Sequence, residues 1–152
     1  MSRAFVSEDH AVEDVLDRPV STHPNYVTER GLALIETALA DAREEYGRMQ
    51  AAGDRAGLGK AARDVRYWTT RRSTAQLLPP ASDHDAVQFG SRVTIMRDDG
   101  RRQIFRIVGE DEADPKSGSI SYISPLARAL VGKRIDDTVR AGAADAEITA
   151  IE

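Results

Sequence analysis

Cysteine is absent from the 152 residues of the chain, which excludes disulfides, thiolate nucleophiles and cysteine-ligated zinc. The three histidines, His10, His23 and His84, lie far apart in segments typical of loops, so a histidine metal site is not expected. Aromatic residues make up only 5% of the chain, too few for a large aromatic-lined pocket. No run of about 18 apolar residues occurs, so we expect no membrane-spanning helix and no membrane partner. These absences predict a protein without a metal site or cofactor.

The N-terminal segment carries weak structural signals. Its first residues become acidic where an export signal would be apolar, so we expect a cytoplasmic location. Pro19 and Pro24 each disfavour helix in the preceding residue, and the pattern allows a short helical turn around Val12–Leu16. We predict a leader over residues 1–24, either an arm laid over another part of the chain or a partly disordered segment.

Charge is distributed unevenly along the chain, although the formal net charge is only -4. Residues 48–72 carry seven Lys or Arg against two Asp, whereas residues 1–24, 25–47 and 73–152 are each acidic. Such a segment either selects an anionic partner or is simply a solvated helix face. We define the basic face as the five candidates for contact with RNA or a protein partner: Arg48, Arg55, Lys60, Arg63 and Arg66.

Apolar residues recur at spacings of three and four in two stretches, which is typical of narrow coiled-coil seams. The first seam is Leu32, Ile35, Leu39, Ala42, Tyr46 and Met49; the second is Leu58, Ala61, Val65, Trp68, Arg72 and Ala75. Thr28 is expected to cap the first helix, which should end at about Ala52. Pro79-Pro80 should end the second helix near Leu77–Leu78. On this pattern Trp68 is a core residue.

The residues between the seams predict a tight turn, because Gly53–Gly59 contains three glycines. A short connection makes the two helices antiparallel, so we predict a hairpin over residues 25–80. Each arm would be about seven turns, roughly 35 Å long. From the residues alone, Asp54 is a turn or cap residue.

After the prolines the apolar period changes to two. This predicts strands at Arg92–Met96, Gln103–Val108 and Ser119–Ile123, with a hairpin turn at Asp98–Gly100. Residues 135–139 and 146–151 are expected to form closing strands. Glu110, Asp111, Glu112 and Asp114 should lie in a solvated acidic loop.

A short helix is framed by Ser124 at its N-cap, Pro125 at its first position and Gly132 just past its end. Residues 81–152 are therefore predicted to form a small domain with an antiparallel sheet and one short helix. The predicted fold class is α+β, with an N-terminal antiparallel coiled-coil hairpin before this sheet domain.

Six segments carry a resemblance to a known family. They are Phe105–Glu112, Ile120–Leu130 and Val131–Val139 in the C-terminal half, and Asn25–Leu32, Gly53–Arg55 and Val65–Thr69 in the hairpin. Over about residues 25–152, the chain resembles the GreA/GreB transcript-cleavage and elongation factors of bacterial RNA polymerase. The resemblance is strongest in the C-terminal half.

The resemblance implies an FKBP-like fold for the C-terminal domain and docking on the bacterial RNA polymerase core. That domain would sit at the rim of the secondary channel, with Ser124, Pro125 and Arg128 as rim contacts. The hairpin would point toward the active centre and the 3' end of the nascent RNA. Catalytic residues would belong to the polymerase, so the chain itself is expected to be a monomeric non-enzyme.

The tip of the hairpin departs from the family pattern, Gly-Asp-x-x-Glu-Asn, whose two acids help to hold a catalytic Mg²⁺ and a water. This chain keeps Asp54 as a candidate Mg²⁺-assisting residue but has Gly57 and Leu58 in the later positions. Both arms are also shorter than the family pattern by roughly eight to ten residues, about 12–15 Å of reach. We therefore predict a channel-binding regulator with weak or absent stimulation of cleavage.

Three alternatives stay open. The chain could be a true cleavage factor that uses Asp54. The FKBP-like fold also allows a peptidyl-prolyl isomerase, although the domain is poor in the aromatic residues that line such pockets. The basic helices allow direct nucleic-acid binding, against which the lack of an aromatic stacking platform counts.

Overall fold

The computed structural model of the protein describes residues 16–152, so the predicted helical turn at 12–16 lies, except for Leu16, outside the described residues. The chain forms two compact units. The hairpin unit contains Ala33–Ala75 and the described residues up to Pro24, and the sheet unit contains Asn25–Leu32 and Gln76–Glu152. The chain therefore leaves the sheet unit after Leu32 and returns to it at Gln76.

Two long helices are confirmed. Helix α1 spans Glu29–Ala52 and helix α2 spans Arg55–Thr74. Ile35 and Leu39 of the first seam are buried, as is Ala61 of the second. The spacing of apolar residues thus identified the face that each helix buries.

Contacts between the helices define their direction. A Cβ placed on Gly57 would overlap Met49 Sδ, so the end of α1 lies against the start of α2. Near the other end, Arg72 Nε lies 3.1 Å from Glu36 Oε1. Pairing of the late residues of one helix with the early residues of the other is antiparallel, as predicted.

The predicted end of the second helix, near Leu77–Leu78, is wrong. Helix α2 ends at Thr74, and Gln76–Leu77 form strand β2, which pairs in parallel with strand β1, Tyr26–Val27. The Leu78 N–H donates to the carbonyl of Val27 at 3.0 Å. Strand pairing therefore satisfies backbone groups that a longer helix would have used.

The second seam needs one correction. Arg72 was predicted on the buried face, but its side chain is exposed and ion-paired with Glu36, because a guanidinium reaches past an apolar seam to solvent. Arg71 is buried instead, with only 2% of its surface exposed.

A five-stranded sheet forms the main part of the sheet unit. Its strands are β3 (Arg92–Arg97), β4 (Arg102–Val108), β5 (Ser119–Ser121), β6 (Thr138–Ala141) and β7 (Ala144–Ile151), in the spatial order β5-β4-β3-β7-β6. The sheet is antiparallel except for β4 and β5, which are parallel. The return from β4 to β5 needs a crossover, which the loop at 109–118 provides.

The core of the sheet unit lies on one face of this sheet. Val93 and Ile95 of β3 and Ile148 of β7 are fully buried, at the alternating positions that a one-sided core requires. Helix α3, Pro125–Leu130, covers this face and buries Leu130 within the same cluster. The predicted α+β class and the short helix are confirmed.

All five predicted strands are present, and their bounds differ from the prediction by one to three residues. The closing strand expected at 135–139 begins only at Thr138, because the Arg134 N–H donates to the carboxylate of Asp137 and closes a turn. Asp136 in that turn has a φ of 74°, a left-handed conformation that ends regular pairing. The third strand stops at Ser121 rather than Ile123.

Candidate functional site

The tip of the hairpin is a one-turn connection built around Gly53 and Asp54. Gly53 has a φ of +66°, which glycine adopts without strain. Asp54 is the N-cap of α2, and its Oδ1 accepts a hydrogen bond from the Gly57 N–H at 3.0 Å. The exposed tip acid therefore has a structural use, since it satisfies one of the free N–H groups at the start of the helix.

Gly57, where the family pattern has Glu, is closely packed. A Cβ at this position would overlap Met49 Sδ and lie 2.8 Å from Asp54 Oδ2. Leu58 at the next position is half-buried. The tip thus presents one carboxylate, from Asp54, where the family pattern has two acids.

Two residues of the basic face are paired with acids that lie outside residues 48–72. Arg48 forms ion pairs with Glu45 and, at 3.8 Å, with Glu44. The hydrogen bond and the negative charge of Glu45 raise the pKa of Arg48 above its ordinary value. Arg66 lies 2.7 Å from the carboxylate of Asp17. A charge count over residues 48–72 cannot include partners from earlier segments, so it overstated the local field.

The other basic-face residues differ in exposure. Arg63 is half-buried and lies 3.6 Å from Asp64 Oδ1. Arg55 and Lys60 are exposed at the start of α2. Arg48 thus lies on α1 and the other four residues on α2, and at least three of the five are ion-paired.

A shallow groove of about 400 Å³ runs along the hairpin beside Arg66. Its lining includes Arg43 and Tyr46 from α1 and Val65 and Arg66 from α2. The two guanidinium groups can bind a phosphate, and the tyrosine ring can stack on an adjacent planar group. The sequence prediction missed Arg43, which lies in a segment that is acidic as a whole.

The predicted rim residues lie together on α3. The Ser124 Oγ accepts a hydrogen bond from the Ala127 N–H at 3.3 Å, which confirms the predicted N-cap, and Pro125 is the first helical residue. Arg128 is exposed on the same helix. The three residues thus lie at the N-cap and within one short helix of the sheet unit.

Arg128 also lines a groove of about 330 Å³ with three aromatic rings, which the low aromatic content did not predict. The ring centroids of Tyr26 and Tyr122 are 5.4 Å apart, and those of Phe89 and Tyr122 are 5.8 Å apart. Val131, which is 45% exposed, completes the apolar rim. Tyr26 comes from β1, whose pairing with β2 brings it to residues far along the chain.

The acidic loop is not wholly solvated, contrary to the prediction, because Glu112 is only 8% exposed. Its carboxylate accepts a hydrogen bond from the Thr28 hydroxyl at 2.5 Å. The same hydroxyl oxygen accepts from the Gly31 N–H at 3.0 Å, which confirms the predicted cap of α1. A buried carboxylate needs such a partner, and no local pattern indicates one 84 residues away.

Two classes of site are not found in the described part of the chain. Within residues 16–152, no group of three or more His, Cys, Asp or Glu side chains is placed to hold a metal ion. No helix of these residues is both long enough and apolar enough to span a membrane.

Comparison with known proteins gives the family. The model of the family described as "Transcription elongation factor, GreA/GreB, C-term" matches residues 82–152, most of the sheet unit. A transcription elongation factor GreA from Sphingopyxis alaskensis is 38% identical over 112 residues, which cover 70% of each chain. The chain belongs to the GreA/GreB family. It is a Gre-type transcription elongation factor.

Other relatives extend the match. GreA from Vibrio vulnificus is 38% identical over 132 residues, covering 78% of this chain and 82% of that protein. GreB from Neisseria meningitidis is 44% identical over 79 residues, about half of either chain. Among solved structures, the GreA factor homolog 1 (Gfh1) of Thermus thermophilus is 21% identical, with a TM-score of 0.43 over 86% of this chain and 99% of that one.

Proposed function

We propose that this family member binds bacterial RNA polymerase at the secondary channel and regulates elongation with weak or no stimulation of transcript cleavage. The protein would act as a monomer without enzymatic activity of its own. The observation that carries the proposal is the tip, where the single acid, Asp54, caps α2 and Gly57 replaces the second acid.

The chemistry of cleavage explains why this tip matters. Mg²⁺ keeps several waters and is usually held by one or two carboxylates together with other ligands. A tip with one carboxylate, already hydrogen-bonded to a backbone N–H, has fewer oxygen atoms free to bind Mg²⁺ than the two acids of the family pattern. The expected result is a factor that occupies the channel but adds little to the chemistry.

The length of the helices supports the same conclusion. Helix α1 has 24 residues and α2 has 20, which correspond to about 36 and 30 Å at 1.5 Å per residue. The family resemblance implies longer arms. A shorter hairpin would hold Asp54 farther from the catalytic Mg²⁺ and from the 3' end of the nascent RNA.

The rim contact is proposed for Ser124, Pro125 and Arg128. It is supported by the groove beside Arg128, where exposed Val131 and three aromatic rings offer apolar surface next to a positive charge. Aromatic residues and arginine are the residue types enriched at protein interfaces. An Arg128→Glu variant should lose binding to core polymerase in a pull-down.

Arg140→Glu is the matched control for this pull-down. Arg140 is also an exposed arginine of the sheet unit, and it is paired at 3.5 Å with Asp145. It does not line the groove beside Arg128, so its reversal should leave binding intact. Equal binding by the two variants would contradict the rim contact, and absence of binding by the unchanged protein would contradict the proposed function.

A second candidate function, a true cleavage factor, is favoured by the exposure of Asp54 and by its capping bond, which uses only Oδ1. Stalled, backtracked complexes with Mg²⁺ separate the two candidates. Cleavage that the protein stimulates strongly and that Asp54→Asn abolishes would support this second function. Asn keeps the cap, so the comparison isolates the charge.

A further inference from the structure

The segment before the hairpin contacts α2 through two adjacent residues of opposite charge. Asp17 Oδ1 accepts hydrogen bonds from Arg66, whose Nε and Nη2 each lie 2.7 Å away. The next residue, Arg18, lies with its Nη1 at 3.4 Å from Asp64 Oδ1. Asp17 and Arg18 therefore each meet an opposite charge on α2, which fixes the register of the contact.

Arg18 is held by more than its ion pair. Its guanidinium carbon lies 3.8 Å from the centroid of the Tyr67 ring and 5.3 Å from that of Trp68. The two rings lie edge to face, with centroids 4.9 Å apart. Asp64, Tyr67 and Trp68 share one face of α2, so a carboxylate and two aromatic faces form a site for a cation that Arg18 fills. Trp68, expected in the core, is only half-buried, and its ring lies beside the Arg18 guanidinium.

The contact neutralises the charge of Arg66 where this residue lines the groove. Without Asp17, Arg66 and Arg43 would be two positive charges on the groove that Tyr46 also lines. The Asp17–Arg66 pair is open to solvent, since 68% of the Asp17 side chain and 53% of the Arg66 side chain are exposed. Exposed ion pairs are weak, and a guanidinium binds a phosphate with the same forked geometry as a carboxylate, so a phosphate held at the groove can take the place of the Asp17 carboxylate.

We propose that Asp17 and Arg18 form a latch that masks Arg66 in the free protein, and that single-stranded RNA opens it by exchanging a phosphate for the Asp17 carboxylate. This rests on the sequence-based expectation that the basic face contacts RNA. The Asp17–Arg66 ion pair weakens the binding of nucleic acid that is free in solution. RNA held close to the groove, at high local concentration, can still bind there.

Trp68 is the single tryptophan of the chain, so its fluorescence emission measures the state of the latch without an added label. Arg18→Ala should change the Trp68 emission by removing the cation beside the ring. A single-stranded oligouridylate should shift the emission of the unchanged protein toward that of Arg18→Ala. The same RNA should leave the emission of Arg18→Ala nearly unmoved.

Affinity for a fluorescein-labelled oligouridylate at low salt provides the second readout. Asp17→Asn should bind roughly two- to five-fold more tightly than the unchanged protein, the range that one exposed ion pair supports. Asp99→Asn is the control, because it removes the same charge from an exposed ion pair with Arg101 in the sheet unit. In an Arg66→Ala background the gain from Asp17→Asn should vanish.

Three results overturn the latch. The first is an equal gain from Asp17→Asn and Asp99→Asn. The second is RNA binding that leaves the Trp68 emission unchanged. The third is no RNA binding by either the unchanged protein or Asp17→Asn. None of them bears on the polymerase pull-down, so failure of the latch and failure of the proposed function are distinguishable.

Discussion

The carboxylate of Glu112 and the hydroxyl of Thr28 are hydrogen-bonded at 2.5 Å, and this contact ties the loop after β4 to the start of α1. Thr28 uses the same oxygen to accept the Gly31 N–H, so one hydroxyl caps the helix and satisfies a buried carboxylate. A Cβ on Gly31 would lie 2.8 Å from Glu112 Oε1, which explains why glycine fits here. Both hydrogen-bonded side chains belong to the sheet unit.

Thr28→Ala should therefore lower the free energy of unfolding by about 1–3 kcal/mol, because it removes the cap and leaves Glu112 without its hydroxyl donor. Thr28→Ser should stay close to the unchanged protein. Urea denaturation measures both. The control is Thr37→Ala on the exposed side of α1, for which a change within about 0.5 kcal/mol is expected. A loss no larger than that of the control would contradict the shared role of Thr28.

Asp54→Ala should cost about 1 kcal/mol of stability, since the Gly57 N–H loses its acceptor. Asp54→Asn should cost only a few tenths of a kcal/mol, because Asn is an equally good N-cap. Thermal unfolding followed by circular dichroism compares the two variants. If both lose the same stability, the carboxylate has a role in the fold other than capping.

Two glycines in the helices should respond differently to alanine. Gly47 in α1 has open space where a Cβ would lie, so Gly47→Ala should raise the free energy of unfolding by about 0.5–1 kcal/mol through helix propensity. Gly57→Ala should raise the free energy of unfolding by less than Gly47→Ala does, or lower it, because the methyl group displaces Met49 and approaches Asp54. Chemical denaturation of the two single variants tests this, and equal gains would show that the tip is loosely packed.

In the hairpin turn between β3 and β4, the pKa of Asp99 depends on its contacts with Arg101. The backbone N–H and side chain of Arg101 hydrogen-bond to Asp99 and lower the pKa of this carboxyl below its ordinary 3.8. A folded pKa below the unfolded one adds stability above the unfolded pKa, and this contribution is lost as the pH falls through the folded value. NMR titration of Asp99 should show the depressed pKa, and Arg101→Ala should raise it toward 3.8. No response to that substitution would rule out the Arg101 side chain as a cause.

The sequence correctly predicted the structural features that depend only on residues close together in the chain. The caps at Thr28 and Ser124, the turn at Asp98–Gly100 and the alternating core positions of β3 follow from neighbouring residues, and all are present. Strands β1 and β2 were missed because two residues carry no periodicity and their partners lie 50 positions apart in the chain.

The sequence predicted where the candidate residues lie in the fold, but not which charged groups surround them. The positions of the tip, the basic face and the α3 surface follow from sequence order. The partners of the basic residues do not, because Asp17 and Glu36 reach Arg66 and Arg72 only in the folded hairpin. The aromatic groove on the sheet unit was missed for the same reason, since Tyr26 is distant in sequence from the other rings.

The most direct measurement is a cleavage assay on a stalled, backtracked polymerase complex, with an active cleavage factor as competitor. We predict that this protein alone releases little or no RNA fragment, and that increasing amounts suppress cleavage by the competitor. Strong fragment release by the protein alone, abolished by Asp54→Asn, would contradict the proposed function. So would a competitor that cleaves at an unchanged rate at every concentration of the protein, because the proposed occupancy of the channel would then be absent.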